Sequence, residues 1–380
     1  MSKLSELIAQ LCPDGVPKYY VGDICDISRG RVMSKDYIRE NEGEYPVYSS
    51  QTENNGELGR ISTFDFDGEY LTWTTDGANA GTVFYRNGKF SITNVCGLLK
   101  VTKEDLLTKY LYYTLNTEAP KYVSSGMGNP KLMSNVMARV SVQVPPLEVQ
   151  REIVRILDNF TELTAELTAE LTARKQQYEY YFHEIMNMYD SPIVKLGDIG
   201  QVKMCKRIMK AQTSSKGEIP FFKIGTFGKE ADAYMSRELF EEYVSKYSYP
   251  TKGDILISCS GTIGRTVVFD GEPAYFQDSN IVWLEHDGTK VSNEYLRFAY
   301  MTNPWIISTG GTISRLYNDG ILKAEIPLPS LEEQKSIVAL LSRFDAICND
   351  ISSGLPAEIE ARQKQYEYYR DKLLTFKQLA

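Results

Sequence analysis

The sequence predicts an α+β chain in which two similar domains of mixed α/β structure are separated by two long antiparallel coiled-coil helices, the whole forming an internal pseudo-twofold repeat. Three observations predict it. A proline-led helix start occurs twice, a tyrosine-rich helix end occurs twice, and the segments between them share framework residues while their loops diverge.

The helix start Pro145-Pro146-Leu147-Glu148-Val149-Gln150-Arg151-Glu152-Ile153-Val154 returns as Pro329-Ser330-Leu331-Glu332-Glu333-Gln334-Lys335-Ser336-Ile337-Val338. The end Ala173-Arg174-Lys175-Gln176-Gln177-Tyr178-Glu179-Tyr180-Tyr181 returns as Ala361-Arg362-Gln363-Lys364-Gln365-Tyr366-Glu367-Tyr368-Tyr369. In both copies apolar residues fall at alternating steps of four and three, the pattern of a coiled-coil seam. The first seam runs through Ile153, Leu157, Phe160, Leu167, Leu171, Tyr178, Tyr181 and Ile185, with Thr164 and Arg174 as polar interruptions, and the second through Ile337, Leu341, Phe344, Cys348, Ile351, Leu355, Ile359, Tyr366, Tyr369, Leu373 and Phe376. Proline before each start suits the first helical turn, where a missing N–H costs nothing. Gly354 and Pro356 predict a kink or break in the second copy. The predicted segments are a first domain at 1–146 with a short N-terminal helix, a helical spacer at 147–190, a second domain at 191–329 and a second spacer at 330–380.

Within the first spacer, Thr164-Ala165-Glu166-Leu167 is followed by Thr168-Ala169-Glu170-Leu171, and the second copy is longer there by one such unit. Four residues add about 6 Å of helix, so the number of units would set a distance. A solvated stretch drifting in length is the plainer alternative.

The domains correspond more weakly: Val21-Gly22-Asp23-Ile24 with Leu196-Gly197-Asp198-Ile199, and Tyr45-Pro46-Val47-Tyr48 with Ile219-Pro220-Phe221-Phe222. β-rich runs near 70–73, 82–85, 254–259 and 266–269 are divided by Gly, Asn and Asp turns, with helical patterns near 106–115 and 293–301. Leu4-Ser5-Glu6-Leu7-Ile8 looks like the tail of a helix such as the one preceding the second domain, which predicts that the terminal segments pack together.

Composition narrows the chemistry. Six widely spaced cysteines without a Cys-x-x-Cys pair predict buried reduced thiols. Two histidines, His183 and His286, lack the spaced partners of a metal site. The glycine-rich stretches 77–81 and 261–264 fit neither a phosphate loop nor a dinucleotide fingerprint, and Asn303-Pro304-Trp305 does not fit the Asn/Asp-Pro-Pro-aromatic motif of an adenine methyltransferase. No apolar run is long enough to span a bilayer and the first residues form no signal peptide, so the expectation is a cytoplasmic protein without membrane contact.

Basic and hydroxyl residues gather instead on the predicted turns. They are Arg29, Arg31, Lys35, Ser49, Ser50, Gln51, Arg60, Thr74, Thr75 and Lys131 in the first domain. In the second they are Lys203, Lys206, Arg207, Lys210, Lys223, Ser258, Ser260, Thr262, Arg265 and Arg315. Such groups on loops held by a rigid scaffold read the groove edges of DNA. The formal net charge of −8 runs against this, since phosphate neutralisation supplies most of the affinity; local basic patches would have to supply it.

The repeated helix starts, the Gln-Tyr-Glu-Tyr-Tyr ends and the Thr-Ala-Glu-Leu units together make the chain resemble, over essentially its whole length, the specificity subunits of type I restriction-modification systems. The resemblance implies two target-recognition domains on double-stranded DNA, each binding half of an interrupted site, joined by helices that bind two modification subunits. Gln150, Ile153, Tyr178, Tyr181, Gln334, Ile337, Tyr366 and Tyr369 are the helix residues expected to meet those partners. Restriction-translocase subunits would join them, and S-adenosylmethionine, ATP and Mg²⁺ would be bound by the partners, with no cofactor, metal or catalytic residue in this chain. Two other classes stay open on the residues alone: a coiled-coil scaffold whose domains bind proteins or sugars, and an enzyme whose domains act on DNA themselves.

Overall fold

The computed structural model describes residues 3–124, 128–308, 314–350 and 353–379. They form two compact units: Met1–Ala169 with Glu358–Ala380, and Glu170–Ala357.

In the first unit six strands lie side by side in the order Cys25–Arg29, Cys96–Val101, Phe66–Thr74, Val83–Ile92, Tyr45–Tyr48 and Glu57–Ile61. Side chains of a strand alternate between faces. Leu99 accordingly joins Leu71 and Trp73 in the main core, while Leu98 joins Phe90 and Ile92 on the other face. Trp73 is fully buried and its indole donates to the Leu132 carbonyl at 2.9 Å. Burial of a large apolar side chain contributes roughly 1.5–3 kcal/mol, and the indole bond ties Leu132 to this face.

The second unit splits the same plan into smaller sheets. One has the order Gln201–Lys203, Ile281–Glu285, Ile255–Ser258, Thr266–Val268; another has the order Tyr234–Met235, Ile219–Phe222, Tyr275–Phe276. Correspondence with the first unit is nonetheless residue by residue. Tyr45–Tyr48 makes a parallel pairing, Val47 with Ser91 and Tyr48 with Ile92, and Ile219–Phe222 makes the same one, Phe221 with Tyr275 and Phe222 with Phe276. The helices Thr108–Glu118 and Asn293–Met301 each carry a buried tyrosine whose hydroxyl donates at 2.8 Å to a strand carbonyl, Tyr110 to Gln143 and Tyr295 to Pro327. The expected strands and helices are present within a few residues of their predicted positions.

The first spacer is one 40-residue helix, Leu147–Met186. Its threonines satisfy themselves by donating to the carbonyl four residues back, as Thr161 does to Leu157 and Thr164 to Phe160, which lets a poor helix former sit in a helix interior. The second spacer is two helices, Leu331–Asn349 and Leu355–Leu373. The expected interruption falls at Gly354, whose N–H donates to the Asp350 carbonyl; a Cβ there would lie 2.5 Å from the Ala346 carbonyl oxygen. Ile351 of the predicted seam lies outside the described residues. Ser330, which replaces a second proline, caps its helix: its hydroxyl accepts from the Glu333 N–H, and the Glu333 carboxylate accepts from the Ser330 N–H at 2.8 Å.

Each unit pairs the start of one copy with the end of the other. In the first unit Phe160 stacks on Tyr369 at 5.6 Å, and in the second Phe344 stacks on Tyr181 at 6.5 Å, the same two positions of the repeat. The seam is buried at Ile153, Leu157, Ile337, Leu341 and Cys348, but Leu167 and Leu171 between the ends are only half-buried. The helix Lys3–Leu11 buries Leu4 in the cluster that Leu373 and Phe376 pack against, and Val16 exchanges backbone hydrogen bonds with Lys377 and Leu379. The terminal segments thus pack together as expected.

Candidate functional site

At the end of the parallel strand pair of each unit, four chain segments converge. In the first unit the Ser50 hydroxyl accepts from the Thr75 N–H at 3.0 Å and donates to the Val95 carbonyl, the Ser49 hydroxyl meets that of Thr93 at 2.9 Å, and Leu132 N–H donates to the Thr75 carbonyl. Lys131, beside Leu132, is exposed at the rim and pairs through its backbone with Asp76 and Ser124. Arg29 reaches the same rim, donating to the Ser134 hydroxyl at 3.2 Å.

The second unit repeats the construction with other side chains. Leu316 N–H donates to the Cys259 carbonyl as Leu132 does to Thr75, so Arg315 occupies the position of Lys131. Ser260 donates to Asn280 Oδ1 at 2.9 Å, and the Arg315 guanidinium to the Ser279 carbonyl at 2.8 Å. Here the loops border a half-open cavity of about 510 Å³ lined in part by Arg207, Lys210, Lys223 and Arg315. The fold therefore gathers four of the predicted basic residues into one concave surface, where Arg207 pairs with Asp278 at 2.8 Å and Lys223 with Asp232 at 2.7 Å, leaving a smaller local positive excess on a chain of negative net charge.

Other predicted residues lie apart from these clusters or are committed elsewhere. Lys35, Gln51 and Arg60 line a second depression of about 450 Å³, where Arg60 pairs with Glu57 at 2.8 Å and the Gln51 amide donates to the Glu57 carbonyl. Arg31 is held by Asp65 at 3.1 Å. Lys203 pairs with Glu285, Lys206 lies over the Tyr247 ring, and Arg265 donates to the Gly228 carbonyl. Thr262 is exposed at the turn, and its carbonyl accepts the Ser258 hydroxyl.

Eight of the residues expected to make contacts are buried, against that expectation. Thr74, Thr75 and Ser258 are buried, and their hydroxyls are spent on the carbonyls of Asn79, Val95 and Thr262, so they shape the loops rather than face a ligand. Among the helix residues expected to meet partners, Gln150, Ile153, Gln334 and Ile337 are fully buried and Tyr178 nearly so. Gln150 accepts from the Leu107 N–H at 2.9 Å and donates to the carbonyls of Asp105 and Pro145; Gln334 accepts from the Ser292 N–H at 2.9 Å and donates to those of Lys290 and Pro329. Each glutamine fastens its helix to the start of the neighbouring domain helix. Tyr181 and Tyr369 remain exposed and Tyr366 is half-buried.

Residues not anticipated from the sequence complete the sites. Gln277, Asp278, Ser279 and Asn280 line the cavity, and the signal was available: a polar run immediately after the buried Tyr275–Phe276 strand and before the buried Ile281–Glu285 strand. Arg86 had no such signal. It is buried with Nε donating to Thr72 and Nη2 to the Asn55 carbonyl, and its guanidinium lies 3.5 Å from the Tyr48 ring centroid. Burial pushes its proton affinity down, while the Tyr48 ring stabilises the charge and holds the loop at 53–56.

The family model described as the type I restriction modification DNA specificity domain matches residues 13–174 and again 188–361. A type I restriction enzyme specificity subunit of Haemophilus influenzae is 46% identical over 362 residues, covering 92% of each chain. A type I specificity subunit of Mycoplasma pneumoniae is 35% identical over 93% of this chain and 96% of its own. Among solved structures, the type I restriction-modification S subunit of M. genitalium superposes with a TM-score of 0.58 at 16% identity, covering 94% of this chain and 96% of that one. A chain from a study of complex assembly and conformational transition in the type I restriction-modification system superposes at 0.62, with 16% identity and 96% and 98% covered. Two matches to one domain model fall on the two halves of the repeat, and the chain belongs to the family of type I restriction-modification specificity subunits.

Proposed function

We propose that this chain gives a type I restriction-modification complex its DNA sequence specificity, each domain reading one half of a bipartite site through its loop cluster. The helices set the gap between half-sites and dock two modification subunits, with the exposed faces around Tyr181 and Tyr369 as contact regions. The chain itself carries out no chemistry; methyl transfer from S-adenosylmethionine, and ATP- and Mg²⁺-dependent translocation and cleavage where restriction subunits join, belong to the partners. Work on DNA in a bacterial cell puts the complex in the cytoplasm, consistent with no described helix being long and apolar enough to cross a membrane.

One observation carries the reading. The same four-segment loop cluster is built at equivalent positions of both units, on shared backbone hydrogen bonds, yet with different side chains at its surface. A conserved scaffold with divergent contact groups is what two readers of different sequences require.

The test is sequencing of modified adenines in cells expressing this chain with a modification subunit. Deletion of Thr168–Leu171 removes about 6 Å of helix, and the expected result is unchanged half-sites with a gap shorter by about one or two base pairs. Altered half-site bases with an unchanged gap would overturn the assignment of domains and helices.

A further inference from the structure

The charged and amide groups of the second unit's cavity offer mainly hydrogen-bond donors, beside the hydroxyls of Thr213 and Ser279, which donate to the Lys210 carbonyl and to Asp278. The four cations, Arg207, Lys210, Lys223 and Arg315, can only donate. The two amides that line it have their oxygens engaged within the protein, Gln277 Oε1 by the Ile224 N–H at 2.9 Å and Asn280 Oδ1 by the Ser260 hydroxyl. What these amides offer a ligand is their NH₂ groups. Asp278, the one carboxylate among the described lining residues, takes Arg207 Nε at 2.8 Å.

Two of the cations are anchored along one edge. Arg207 is held through Nε by Asp278, which leaves its terminal nitrogens for a ligand. Arg315 is held through Nη2 by the carbonyl of Ser279, a non-glycine residue in the left-handed region at φ 58, and lies 5.8 Å from the Tyr317 ring centroid. A guanidinium fixed on one side presents its remaining N–H groups in a set plane, the arrangement that bidentate recognition needs.

The matching base edge has two adjacent acceptors and no donor beside them. In the major groove guanine alone presents N7 and O6 together, whereas adenine sets an NH₂ donor beside its N7 and would bring that donor against the guanidinium groups of Arg207 and Arg315. We propose that this cavity reads a guanine of one half-site through O6 and N7, with Arg207 and Arg315 as the specificity-determining residues. The inference rests on the DNA-reading function proposed above. A phosphate shares the acceptor-only chemistry and marks the other source of such a ligand on the same duplex.

The experiment measures binding of the full chain, in complex with its modification subunits, to a duplex carrying its methylated site at fixed salt. Each guanine is replaced in turn by 7-deazaguanine, which removes N7 and leaves every phosphate in place. At one guanine of one half-site the affinity of the unaltered protein falls about tenfold. In Arg207→Lys or Arg315→Lys, which keep the charge and lose the fork, the same replacement costs less than about twofold, because the contact is already gone. No sensitive guanine in either half-site overturns the proposal, and this arm uses only the unaltered protein. Lysine variants that weaken specific and scrambled duplexes by one common factor assign the cavity to phosphate and overturn it as well. Failure of the unaltered complex to prefer its site over a scrambled duplex would remove the DNA-reading function and the inference with it.

Discussion

Gln150 and Gln334 give the sharpest test of how the helices are fastened to the domains. Replacement of Gln150 by leucine keeps the bulk of the side chain but removes all three of its hydrogen bonds, leaving the half-buried Leu107 N–H without an acceptor and two carbonyls without a donor. An unsatisfied buried group costs about 1–3 kcal/mol, and two weakened carbonyls bring the local loss to about 2–4 kcal/mol. At 1.4 kcal/mol per decade this is about a 30- to 700-fold gain in local opening. Hydrogen–deuterium exchange resolved by peptide reads it directly: the segment with Leu107 exchanges faster in Gln150→Leu while the segment with Ser292 does not, and Gln334→Leu gives the reverse. The two sites lie in different units, share no partner and should add in the double variant. Unchanged protection of Leu107, together with a weakened grip on the modification subunit, would refute this reasoning and return Gln150 to the partner surface.

Two further outcomes follow from burial and charge. All six cysteines are buried, and burial pushes their thiols up, Cys25, Cys96 and Cys205 to about 12 and Cys259 to about 11. Alkylation by iodoacetamide at pH 8 should therefore label none of them within an hour in the native chain and all of them in urea, and fast labelling of any one contradicts its placement. Glu152 is held down to about 2, first by its bond with Arg155, against the opposing effect of burial, and then by Lys3 at 3.2 Å. A depressed carboxylate stabilises the fold above its ordinary value of 4.5 and loses that contribution as pH falls toward 2. Glu152→Gln should cost roughly 1 kcal/mol at pH 7 and progressively less below pH 4.5, so thermal melts of the two proteins should converge on acidification; a constant gap contradicts the ion pair.

What the sequence disclosed was whatever is periodic or duplicated. The helix starts, the tyrosine-rich ends and the strand runs are local patterns, and Tyr45–Tyr48 matched with Ile219–Phe222 proved to be the same parallel pairing in both units. Gly354 announced its own break because close approach of the Ala346 carbonyl leaves no room for a Cβ. Direction of a side chain was not legible in the same way. Gln150 and Gln334 stand beside apolar seam residues and read as polar surface, yet each turns inward to backbone groups that only the folded domain supplies. Thr75 and Lys131 are far apart in sequence and adjoin only because Leu132 returns to the sheet behind Trp73. The run Gln277 to Asn280 carries no cation, and what its amides offer a ligand depends on which of their ends the folded chain already bonds.

The closing of the first unit by Glu358–Ala380 fixes an order of events on the ribosome. Every residue of Glu170–Ala357 is synthesised before the segment that packs on Phe160 and pairs with Val16 exists. The second unit can therefore finish folding during translation, while the first waits for Tyr366, Leu373, Leu374 and Phe376, which pack against its core. A nascent chain so arranged spends the interval of making its second half with its first core unfinished, and that interval lengthens with every helical unit inserted between the two readers.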